Sequence, residues 1–356
     1  MVWQPKPPLT NVYQLLDANI CSICGACIAA CPWSAVSFSS QQPSQVSRDI
    51  RLCTNCSRCL IVCPQTILWI RRDLYTDDAK IVDAYLTRSK DSNILSIAQD
   101  GGTVTALAVK ALERKLVDAA VLAGTEDKWI PRPTLALSPD DVLKCAKSKY
   151  FYVPSLMELR RFDWVRRIMV VGLPCQIRAI EKLEDLDVGI SRRIMYKVGL
   201  FCGHNLDYAS LIEKLLPKAG VGVESLSKMN VKGKVLIYDK AGGSYELPLS
   251  EYESLTRPSC LQCPEFVSRS ADVNVGSIGA PDGWNMVLVM SRRGEELFNA
   301  SMDALEVKKP TSDDLDRVYR MDRRKRERSS KFFKDFYGVD VGTMFLDRDT
   351  WRVISR

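Results

Sequence analysis

The sequence lacks three features that assign many chains to a class at once. It has no run of eighteen or more apolar residues, so no segment is expected to cross a membrane as a helix. Residues 1–8 lack the apolar stretch of a secretory signal peptide. No Gly-x-Gly-x-x-Gly motif follows a predicted strand, which argues against a Rossmann dinucleotide site. We therefore expect a cytoplasmic protein that reaches a membrane, if at all, through a partner complex.

Cysteine, by contrast, is abundant. The 356-residue chain carries 13 cysteines, against an ordinary background of 46% hydrophobic and 26% charged residues. Without an export signal, cysteines at this density favour metal or redox chemistry over disulfides. The chain is long enough for two domains and an appendage, with ample residues to bury a core.

One internal repeat accounts for eight of the cysteines. Residues 21–32 read C-S-I-C-G-A-C-I-A-A-C-P, and residues 53–64 read C-T-N-C-S-R-C-L-I-V-C-P. Each copy has the C-x2-C-x2-C-x3-C-P spacing of bacterial-type ferredoxins, in which the fourth cysteine binds the other cluster. Zinc sites usually show isolated C-x2-C pairs with a longer spacer, so this spacing disfavours zinc.

The crosswise pattern predicts the ligands of two [4Fe–4S] clusters. The first is expected to be held by Cys21, Cys24, Cys27 and Cys63, and the second by Cys53, Cys56, Cys59 and Cys31. Pro32 and Pro64 are expected to redirect the chain after the last cysteine of each copy. Two clusters ligated in this way must lie close together, so they form a path for single electrons without substrate chemistry of their own.

Five cysteines lie outside the repeat. Cys175 follows a predicted strand and opens a helix, where free N–H groups favour a thiolate. Cys202 follows a second apolar strand, and Cys260 forms a C-x2-C pair with Cys263. These four could bind a third cluster or could be ordinary buried cysteines, and spacing alone does not decide. Cys145 has no remaining partner in the sequence and is assigned a structural role.

The chain beyond the repeat predicts an α/β body. We divide the chain into a ferredoxin domain over residues 1–74, a connector with helical character over 75–92, a body over 93–310 and a basic tail over 311–356. A loop is expected at 39–47 and helices at 104–115 and 176–183. Strands are expected at 119–123, 167–171, 195–201, 273–278 and 286–290, with a hairpin at 234–249.

The tail carries much of the net charge of +7. Between residues 317 and 334 it contains Arg320, Arg323, Arg324, Lys325, Arg326, Arg328 and Lys331. Such a run can be a solvated helix face, a docking site for an acidic partner subunit, or a contact with nucleic acid or a membrane surface. Because no nucleic-acid motif accompanies the charge, we expect no nucleic-acid partner and predict docking to a larger assembly.

Several motifs of the body occur in the order seen in one known family. They are Q-D-G-G-T-V-T-A-L at 99–107, K-S-K-Y at 147–150, V-G-L-P-C-Q at 171–176, G-L-F-C at 199–202, R-P-S-C-L-Q-C at 257–263 and A-D-V-N-V-G-S-I-G-A-P-D-G-W at 271–284. With them the chain resembles the beta subunit of coenzyme F420-reducing hydrogenase and its relatives, which include the corresponding component of F420 dehydrogenase and the flavin module of F420-dependent sulfite reductase.

This resemblance implies an α/β domain that binds FAD and a [4Fe–4S] cluster, giving three clusters in all. It assigns Cys175, Cys202, Cys260 and Cys263 to the third cluster. It also implies hydride exchange between coenzyme F420 and FAD, without naming a catalytic residue. Because a deazaflavin moves a hydride and a cluster accepts one electron, a flavin is needed between them. Plant 7-hydroxymethyl chlorophyll reductase belongs to the wider family, so the fold does not fix the substrate.

The candidate flavin contacts fall on these motifs. They are Gln99, Asp100, Gly101, Gly102, Thr103, Lys147, Ser148, Lys149, Tyr150 and Pro174. The two glycines before a helix could cradle a phosphate or could simply cap that helix. The only histidine, His204, could handle a proton or make a local polar contact. Trp33 and Trp69 are expected to serve packing.

The predicted function is therefore hydride exchange between coenzyme F420 and FAD, with single electrons passed to or from a partner. That partner is expected to be a hydrogenase, a membrane-associated dehydrogenase or a heterodisulfide-reductase-type complex, and the direction of flow is open. Two alternatives stand beside it. The chain could be a flavin-free electron wire, or a relative that reduces another substrate with electrons from ferredoxin.

Overall fold

The structure, a computed structural model, describes residues 20–38, 46–66, 79–162, 164–338 and 340. Residues 1–19, most of the predicted loop at 39–47, Trp69, the start of the connector and the end of the tail lie outside these ranges. Within them, no helix combines the length and the apolar character that crossing a membrane requires.

The described residues of the amino-terminal part form two short helices and a hairpin. Its elements are α1 (Ala26–Ala30), β1 (Val36–Phe38), β2 (Val46–Arg48) and α2 (Arg58–Ile61). Strands β1 and β2 pair antiparallel, and each helix lies within one copy of the cysteine repeat. The two copies therefore have matching local structures.

The body and tail contain the remaining regular elements. The helices are α3 (Ser92–Ile97), α4 (Thr103–Glu113), α5 (Pro139–Lys144), α6 (Pro174–Asp185), α7 (Tyr208–Ser210), α8 (Leu216–Lys218), α9 (Leu249–Glu253), α10 (Pro258–Leu261), α11 (Arg292–Asn299) and α12 (Ser312–Tyr337). The strands are β3 (Asp83–Ser89), β4 (Ala119–Thr125), β5 (Pro131–Ala136), β6 (Ile168–Gly172), β7 (Ile194–Leu200), β8 (Leu226–Val231), β9 (Lys234–Asp239), β10 (Ser244–Pro248), β11 (Val273–Gly276), β12 (Asn285–Val289) and β13 (Leu305–Lys308).

A mixed eight-stranded sheet forms the centre of the body, in the order β13-β3-β12-β11-β7-β6-β4-β5. Strands β11, β7, β6 and β4 are parallel, and the strands flanking them are antiparallel. A separate antiparallel sheet contains β10, β9 and β8, and includes the predicted hairpin. The expected mixed α/β architecture is confirmed.

The predicted connector is wrong in part. Residues 83–89 form β3, which pairs with β12 on one side and β13 on the other. Residues on both faces of this strand are buried, Ala84 and Leu86 on one face and Thr87 and Ser89 on the other, so the segment belongs to the sheet. The sequence D-A-Y-L-T-R-S mixes polar and apolar residues. Because Thr87 and Ser89 are polar, its hydrophobic pattern did not indicate a buried strand.

The ferredoxin unit shares a hydrophobic core with the body. Ala26, Ala29 and Ala30 of α1 pack in the same cluster as Leu156 and Ile177 of the body. Small side chains on α1 allow this close approach. At Gly25 the backbone has φ +87°, and a Cβ atom there would lie 2.6 Å from the carbonyl oxygen of Pro154. Glycine is therefore required where the two parts meet.

The tail begins with a long helix that packs on the body. Thr311 and Asp314 form a reciprocal cap at the start of α12, and Gly338 ends it in a left-handed conformation. The buried residues of α12 are Val318, Asp322, Lys325, Arg326, Ser329 and Phe333. They recur every three or four positions, which defines one face of the helix against the body.

Candidate iron–sulfur and flavin sites

The outer set, defined as Cys31, Cys53, Cys56 and Cys59, lines a single cavity. Cys31 is buried, Cys53 and Cys59 are half-buried and Cys56 is exposed. The fourth cysteine of the first copy thus meets the first three of the second copy, as the crosswise pattern predicts. A cavity walled by four thiols matches the donor set of a [4Fe–4S] cluster.

The inner set, defined as Cys21, Cys24, Cys27 and Cys63, is buried throughout. Burial raises the pKa of the Cys24 thiol to about 11, and the neighbouring Cys21 contributes to that rise. The Cys27 thiol lies within electrostatic reach of Cys24, Cys21 and Cys63, so the structure brings these four together. Four buried thiols that repel one another as thiolates need a cationic core, which an iron–sulfur cluster supplies.

The body set is defined as Cys175, Cys202, Cys260 and Cys263. It lies at the carboxyl ends of two central strands of the large sheet. Parallel strands β6 and β7 lead to Cys175 and Cys202, and α10 carries Cys260 with Cys263 just after it. Burial raises the pKa of the Cys175 thiol, and its electrostatic neighbours Cys263, Cys202 and Cys260 raise it further. The four cysteines that the resemblance assigned to a third cluster therefore meet in space.

The body set adjoins the inner set. Cys24 is among the electrostatic neighbours of Cys175, and Cys21 packs with Cys260 in one buried cluster. The backbone N–H of Leu156 donates to the carbonyl oxygen of Cys24 at 3.1 Å. This hydrogen bond joins the first cysteine motif to the body. Cys59 of the outer set is in turn an electrostatic neighbour of Cys27 of the inner set, so the three cysteine sets follow one another in the order body, inner, outer.

Each of the three cysteine sets offers four thiols, which is the number of cysteines that holds one [4Fe–4S] cluster. Within the described ranges, no group of three or more His, Cys, Asp or Glu residues is arranged to hold one metal ion. Ligands of one zinc ion sit about 2.3 Å from it and crowd together, whereas each cysteine of a cubane binds a different iron. The donor sets therefore fit [4Fe–4S] clusters.

A buried arginine lies where the ferredoxin unit meets the body set, and the sequence did not predict it. Arg178 on α6 is 1% exposed and pairs with Glu265, which is 2% exposed. Its Nε donates to the carbonyl oxygen of Pro64 at 3.1 Å, and its Nη2 lies 3.8 Å from Cys263 Sγ. Arg178 therefore links the end of the second ferredoxin motif to the body set.

The tail helix supplies a second buried cation. Lys325 Nζ donates to the carbonyl oxygen of Cys202 at 2.6 Å. Arg328 on the next turn donates to the carbonyl oxygens of Gly203 and Cys260 at 2.9 and 3.2 Å. The expectation of a solvated or partner-facing run is therefore wrong for Lys325 and Arg326, which are buried, whereas Arg320, Arg323, Arg324 and Lys331 are exposed.

These cations alter the thiols of the body set. Burial alone would raise the pKa of the Cys263 thiol, but Lys325 and Arg178 outweigh burial, and that pKa lies below its ordinary value. Burial raises the pKa of the Cys202 thiol to about 12, although Lys325 opposes the rise. The site thus favours a thiolate most strongly at Cys263, between the two cations.

Most of the predicted flavin contacts gather around strand β8. Gln99 Nε2 donates to the carbonyl oxygen of Met229 at 2.9 Å, and its Oε1 accepts from the N–H of Ser148 at 3.4 Å. Lys147 Nζ donates to the carbonyl oxygen of Ser227 at 3.4 Å. The motifs at 99–103 and 147–150, which lie far apart in the sequence, are thereby joined.

Two further lysines in this region were missed. Lys228 Nζ donates to the carbonyl oxygen of Gln99 at 2.8 Å, and Lys232 Nζ lies 3.1 Å from Asp100 Oδ1. Beside them, the buried Oδ1 of Asn230 has no hydrogen-bond partner within the described part of the chain. Clustered lysines and an unpaired acceptor suit a phosphate-bearing ligand that also carries an N–H group.

The glycines before α4 are fixed by close contacts. A Cβ atom at Gly101 would lie 2.8 Å from the carbonyl oxygen of Thr87, and Gly102 has φ +72°. The Thr103 hydroxyl meets that of Thr87 at 2.7 Å, and the Thr103 N–H donates to Asn285 Oδ1 at 3.3 Å. Gly102 thus takes the position before the first residue of α4, and the Thr103 N–H and hydroxyl are already engaged by Asn285 and Thr87.

The loop at 147–150 has an unusual backbone. Lys147 and Tyr150 have φ +73° and +56°, a region that costs free energy for side chains other than glycine and is enriched at ligand sites. Lys149 is buried, donates to the carbonyl oxygens of Cys145, Ala146 and Lys147, and has its pKa lowered by burial to about 8. Its ammonium therefore holds the loop, and Lys147 is the more available cation.

Tyr150 and Tyr152 connect this region to the body set. The Tyr150 hydroxyl accepts from the N–H of Val231 at 3.3 Å. Two residues later, the Tyr152 hydroxyl lies 2.7 Å from Cys260 Sγ and 3.3 Å from Ser259 Oγ. Pro174, the last of the predicted flavin contacts, opens α6 immediately before Cys175.

The remaining predicted residues have local roles. Burial and the nearby Arg328 lower the pKa of His204 to about 3, so the ring is neutral at ordinary pH. Its Nδ1 lies 3.5 Å from Arg328 Nη1, and its ring packs on Tyr252. Cys145 is half-buried, and a Cβ atom at Gly124 would meet its sulfur at 3.3 Å. Trp33 is 56% exposed, so its predicted packing role is wrong.

Comparisons with family models agree with this arrangement. Residues 20–67 match a 4Fe-4S dicluster domain. Residues 84–160 match the amino-terminal domain of the coenzyme F420 hydrogenase/dehydrogenase beta subunit, and residues 165–313 match its carboxyl-terminal domain. The predicted ferredoxin domain with 4Fe–4S character is therefore confirmed.

Comparisons with individual proteins point the same way. The chain is 32% identical to the coenzyme F420 hydrogenase beta subunit of Methanosarcina barkeri, over 74% of this chain and 95% of that protein. It is 30% identical to the coenzyme F420-dependent sulfite reductase of Methanocaldococcus jannaschii, over 92% of this chain and 54% of that protein. A chain in a structure of the F420-reducing [NiFe] hydrogenase complex from Methanosarcina barkeri superposes with a TM-score of 0.68 at 31% identity, covering 72% of this chain and 94% of that chain.

A component of the F(420)H(2) dehydrogenase of Methanosarcina mazei matches over nearly its whole length. The identity is 28%, over 92% of this chain and 95% of that protein. The family models together span most of the body, and two of the relatives that match over most of their own length are named as components of an F420 hydrogenase and an F(420)H(2) dehydrogenase. The chain belongs to the family of coenzyme F420 hydrogenase/dehydrogenase beta subunits.

Proposed function

We propose that the chain exchanges a hydride between coenzyme F420 and a bound FAD and passes single electrons through three [4Fe–4S] clusters to or from a partner. Membership of the family supports F420-linked electron transfer. The single observation that carries the finer proposal is the continuous order of the cysteine sets, which begins beside the lysine cluster and ends at an exposed cysteine.

The flavin is proposed to bind against β8. When bound, it would exchange a hydride with the deazaflavin and single electrons with the clusters. Lys147, Lys228 and Lys232 offer positive charge to its phosphates, and the unpaired Asn230 Oδ1 offers an acceptor to a ring N–H group. Asp100 holds Lys232 in place within this cluster.

The segment from Tyr150 to Tyr152 supports a flavin site beside the body set. The Tyr152 hydroxyl lies 2.7 Å from Cys260 Sγ, and one residue separates the two tyrosines in the chain. The inner cysteines and all of the body set except the half-buried Cys202 are buried, which limits the access of water to the path. The residues of the chain therefore order the path from flavin to body set to inner set to outer set.

The partner is proposed to contact the outer set. Cys56 is exposed there, with the exposed apolar side chains of Trp33, Ile50 and Leu52 on the same unit. Arg58 adds exposed positive charge, whereas the charge of the exposed Arg51 is paired with Asp49. An apolar centre with a basic rim fits a one-electron carrier that has an acidic surface, such as a component of a hydrogenase or dehydrogenase complex.

The test mixes the anaerobically purified, cofactor-loaded protein with reduced coenzyme F420, and separately with NADH. Bleaching of flavin and cluster absorbance by reduced F420 alone is the expected result. A protein that carries flavin and three clusters but is not bleached by reduced F420 would contradict the hydride donor. A protein purified anaerobically with clusters but without flavin would instead indicate an electron wire.

A further inference from the structure

Lys325 is a buried cation without a carboxylate partner. Its side chain is 4% exposed, and no carboxylate of the described residues lies within ion-pair distance of its ammonium. The nearest carboxylate on α12, Asp322, pairs with Arg269 and Arg326 instead. Burial of an unpaired ammonium is strongly unfavourable, so an anion close to Lys325 must offset that cost.

The body set supplies the negative neighbours that act most strongly on Lys325 among the described residues. Its ammonium contacts the carbonyl oxygen of Cys202, and Cys263, Cys202 and Cys260 are its negative electrostatic neighbours. Arg328 adds positive charge from the same helix. Arg178, on the other side of Cys263, is already balanced by Glu265. Among the described residues, Lys325 therefore has no counter-ion other than the thiolates.

We propose that Lys325 is the built-in counter-charge of the body cluster and raises its reduction potential. The inference rests on the proposed function, because it requires a cluster on Cys175, Cys202, Cys260 and Cys263. A thiolate-held cluster is negatively charged and gains one further negative charge on reduction. A fixed positive charge beside it in a low-dielectric interior stabilises the reduced form more than the oxidised form.

This assignment gives the tail helix a function in electron transfer. A higher potential at the body cluster favours its reduction by the flavin, which is the first transfer along the proposed path. Ser329 on the same face of α12 donates to the carbonyl oxygen of Gln262, beside Cys263, and thereby holds the helix over the site. The tail helix thus adjusts the reduction potential of the body cluster, which lies at the flavin end of the path. The exposed outer set lies at the other end.

The test is a redox titration of the full-length, cluster-loaded protein, monitored by electron paramagnetic resonance. Lys325→Met removes the charge and keeps the length of the side chain. In Lys325→Met, the signal of the reduced body cluster is expected to appear only at more negative potentials than in the parent protein. The reduction potentials of the inner and outer clusters are expected to equal those of the parent protein. Lys325→Arg is expected to restore the potential toward that of the parent protein.

A matched control removes the same charge elsewhere on the helix. Lys331 is exposed on α12, so Lys331→Met is expected to leave all three potentials unchanged. A Lys325→Met protein with three clusters and the parent potentials would overturn the inference and leave the proposed function standing. A parent protein without a body cluster would overturn both.

A further variant is needed in case the body cluster does not assemble in Lys325→Met. Lys325→Gln keeps a donor for the carbonyl oxygen of Cys202 but has no charge. If Lys325→Met and Lys325→Gln both lose the body cluster while Lys325→Arg retains it, the charge itself is required, as the inference states. If Lys325→Arg loses it as well, the site depends on the shape of lysine, and the inference is wrong.

Discussion

The inner and outer cysteine sets come from two copies of one motif, yet their surroundings differ. Cys24 of the inner set packs with α1 in the core of the body, and every cysteine of that set is buried. The outer set lines a cavity at the surface, where Cys56 is exposed. Two sites with the same ligand spacing thus differ in their access to water and to other proteins.

This difference shows that the motif specifies the ligands and the surrounding fold specifies the role. The inner set is enclosed by the body, with Arg178 and the loop after Gly25 at the junction. Enclosure suits a relay that exchanges electrons only with its two neighbours. Exposure suits a site that exchanges electrons with a partner, as proposed for the outer set.

The largest effect is expected from breaking the junction at Arg178. Arg178→Met leaves Glu265 buried and unpaired, which should lower the free energy of unfolding by roughly 3–5 kcal/mol. Anaerobic urea unfolding of the cluster-loaded protein, followed by cluster absorbance and intrinsic fluorescence, measures this change. The inner set should then lose the protection that distinguishes it from the outer set.

Two variants control this prediction. Arg192→Met removes an exposed pair with Asp187 and should leave the free energy of unfolding almost unchanged, because water screens that pair. The double variant Arg178→Met/Glu265→Leu replaces both charges with apolar groups and should recover most of the loss. Equal effects of Arg178→Met and Arg192→Met would show that the junction does not depend on the buried pair.

Brief exposure to air with a chelator should separate the two sets. The outer cluster is expected to be lost first, because Cys56 gives oxidant and chelator direct access. Iron content should fall to a plateau after loss of about one third of the iron, if three clusters of equal size are present. Iron determination and electron paramagnetic resonance at intervals measure this. Loss of all clusters at one rate would contradict the difference between the sets.

A charge reversal tests the proposed docking surface. Arg58→Glu, beside the outer set, should slow electron transfer to a strongly acidic ferredoxin several-fold at low ionic strength, because it removes electrostatic attraction. Stopped-flow reduction of that ferredoxin at two salt concentrations measures the rate. Lys331→Glu on the tail helix is the matched control. If Lys331→Glu slowed electron transfer more than Arg58→Glu, the docking surface would lie on the tail helix and not at the outer set.

The smallest effect is expected at Tyr152. Tyr152→Phe removes the hydroxyl that lies 2.7 Å from Cys260 Sγ. Hydrogen bonds to cluster sulfurs raise the reduction potential, so the potential of the body cluster should fall slightly while the inner and outer clusters are unaffected. A potentiometric titration measures it, with Tyr196→Phe in the hydrophobic core as control. An equal shift in both variants would exclude the sulfur contact as the cause.

The sequence predicted the parts of the molecule that depend on spacing. The crosswise grouping of Cys31 with Cys53, Cys56 and Cys59 agrees with the cavity they line, and α4 and the hairpin of β9 and β10 lie where they were expected. These features depend on local periodicity and on cysteine intervals, both of which can be read directly from a sequence.

Buried charges could not be predicted in the same way. Arg178, Glu265 and Lys325 look like surface residues in a sequence, because only tertiary packing gives them partners. One signal was present for the tail: Val318, Asp322, Arg326, Ser329 and Phe333 recur at helical intervals and include small and apolar residues. That stripe indicates a packed face, which the abundance of arginine and lysine concealed.

The order of the three cysteine sets is tested most directly in Cys260→Ser, a variant designed to lack the body cluster. Reduced coenzyme F420 is mixed anaerobically with this variant and with the parent protein, and the samples are freeze-quenched for electron paramagnetic resonance. The account predicts that the flavin is reduced in both, whereas the inner and outer clusters are reduced rapidly only in the parent. Reduction of those clusters at the parent rate in a variant shown to lack the body cluster would contradict the proposed path.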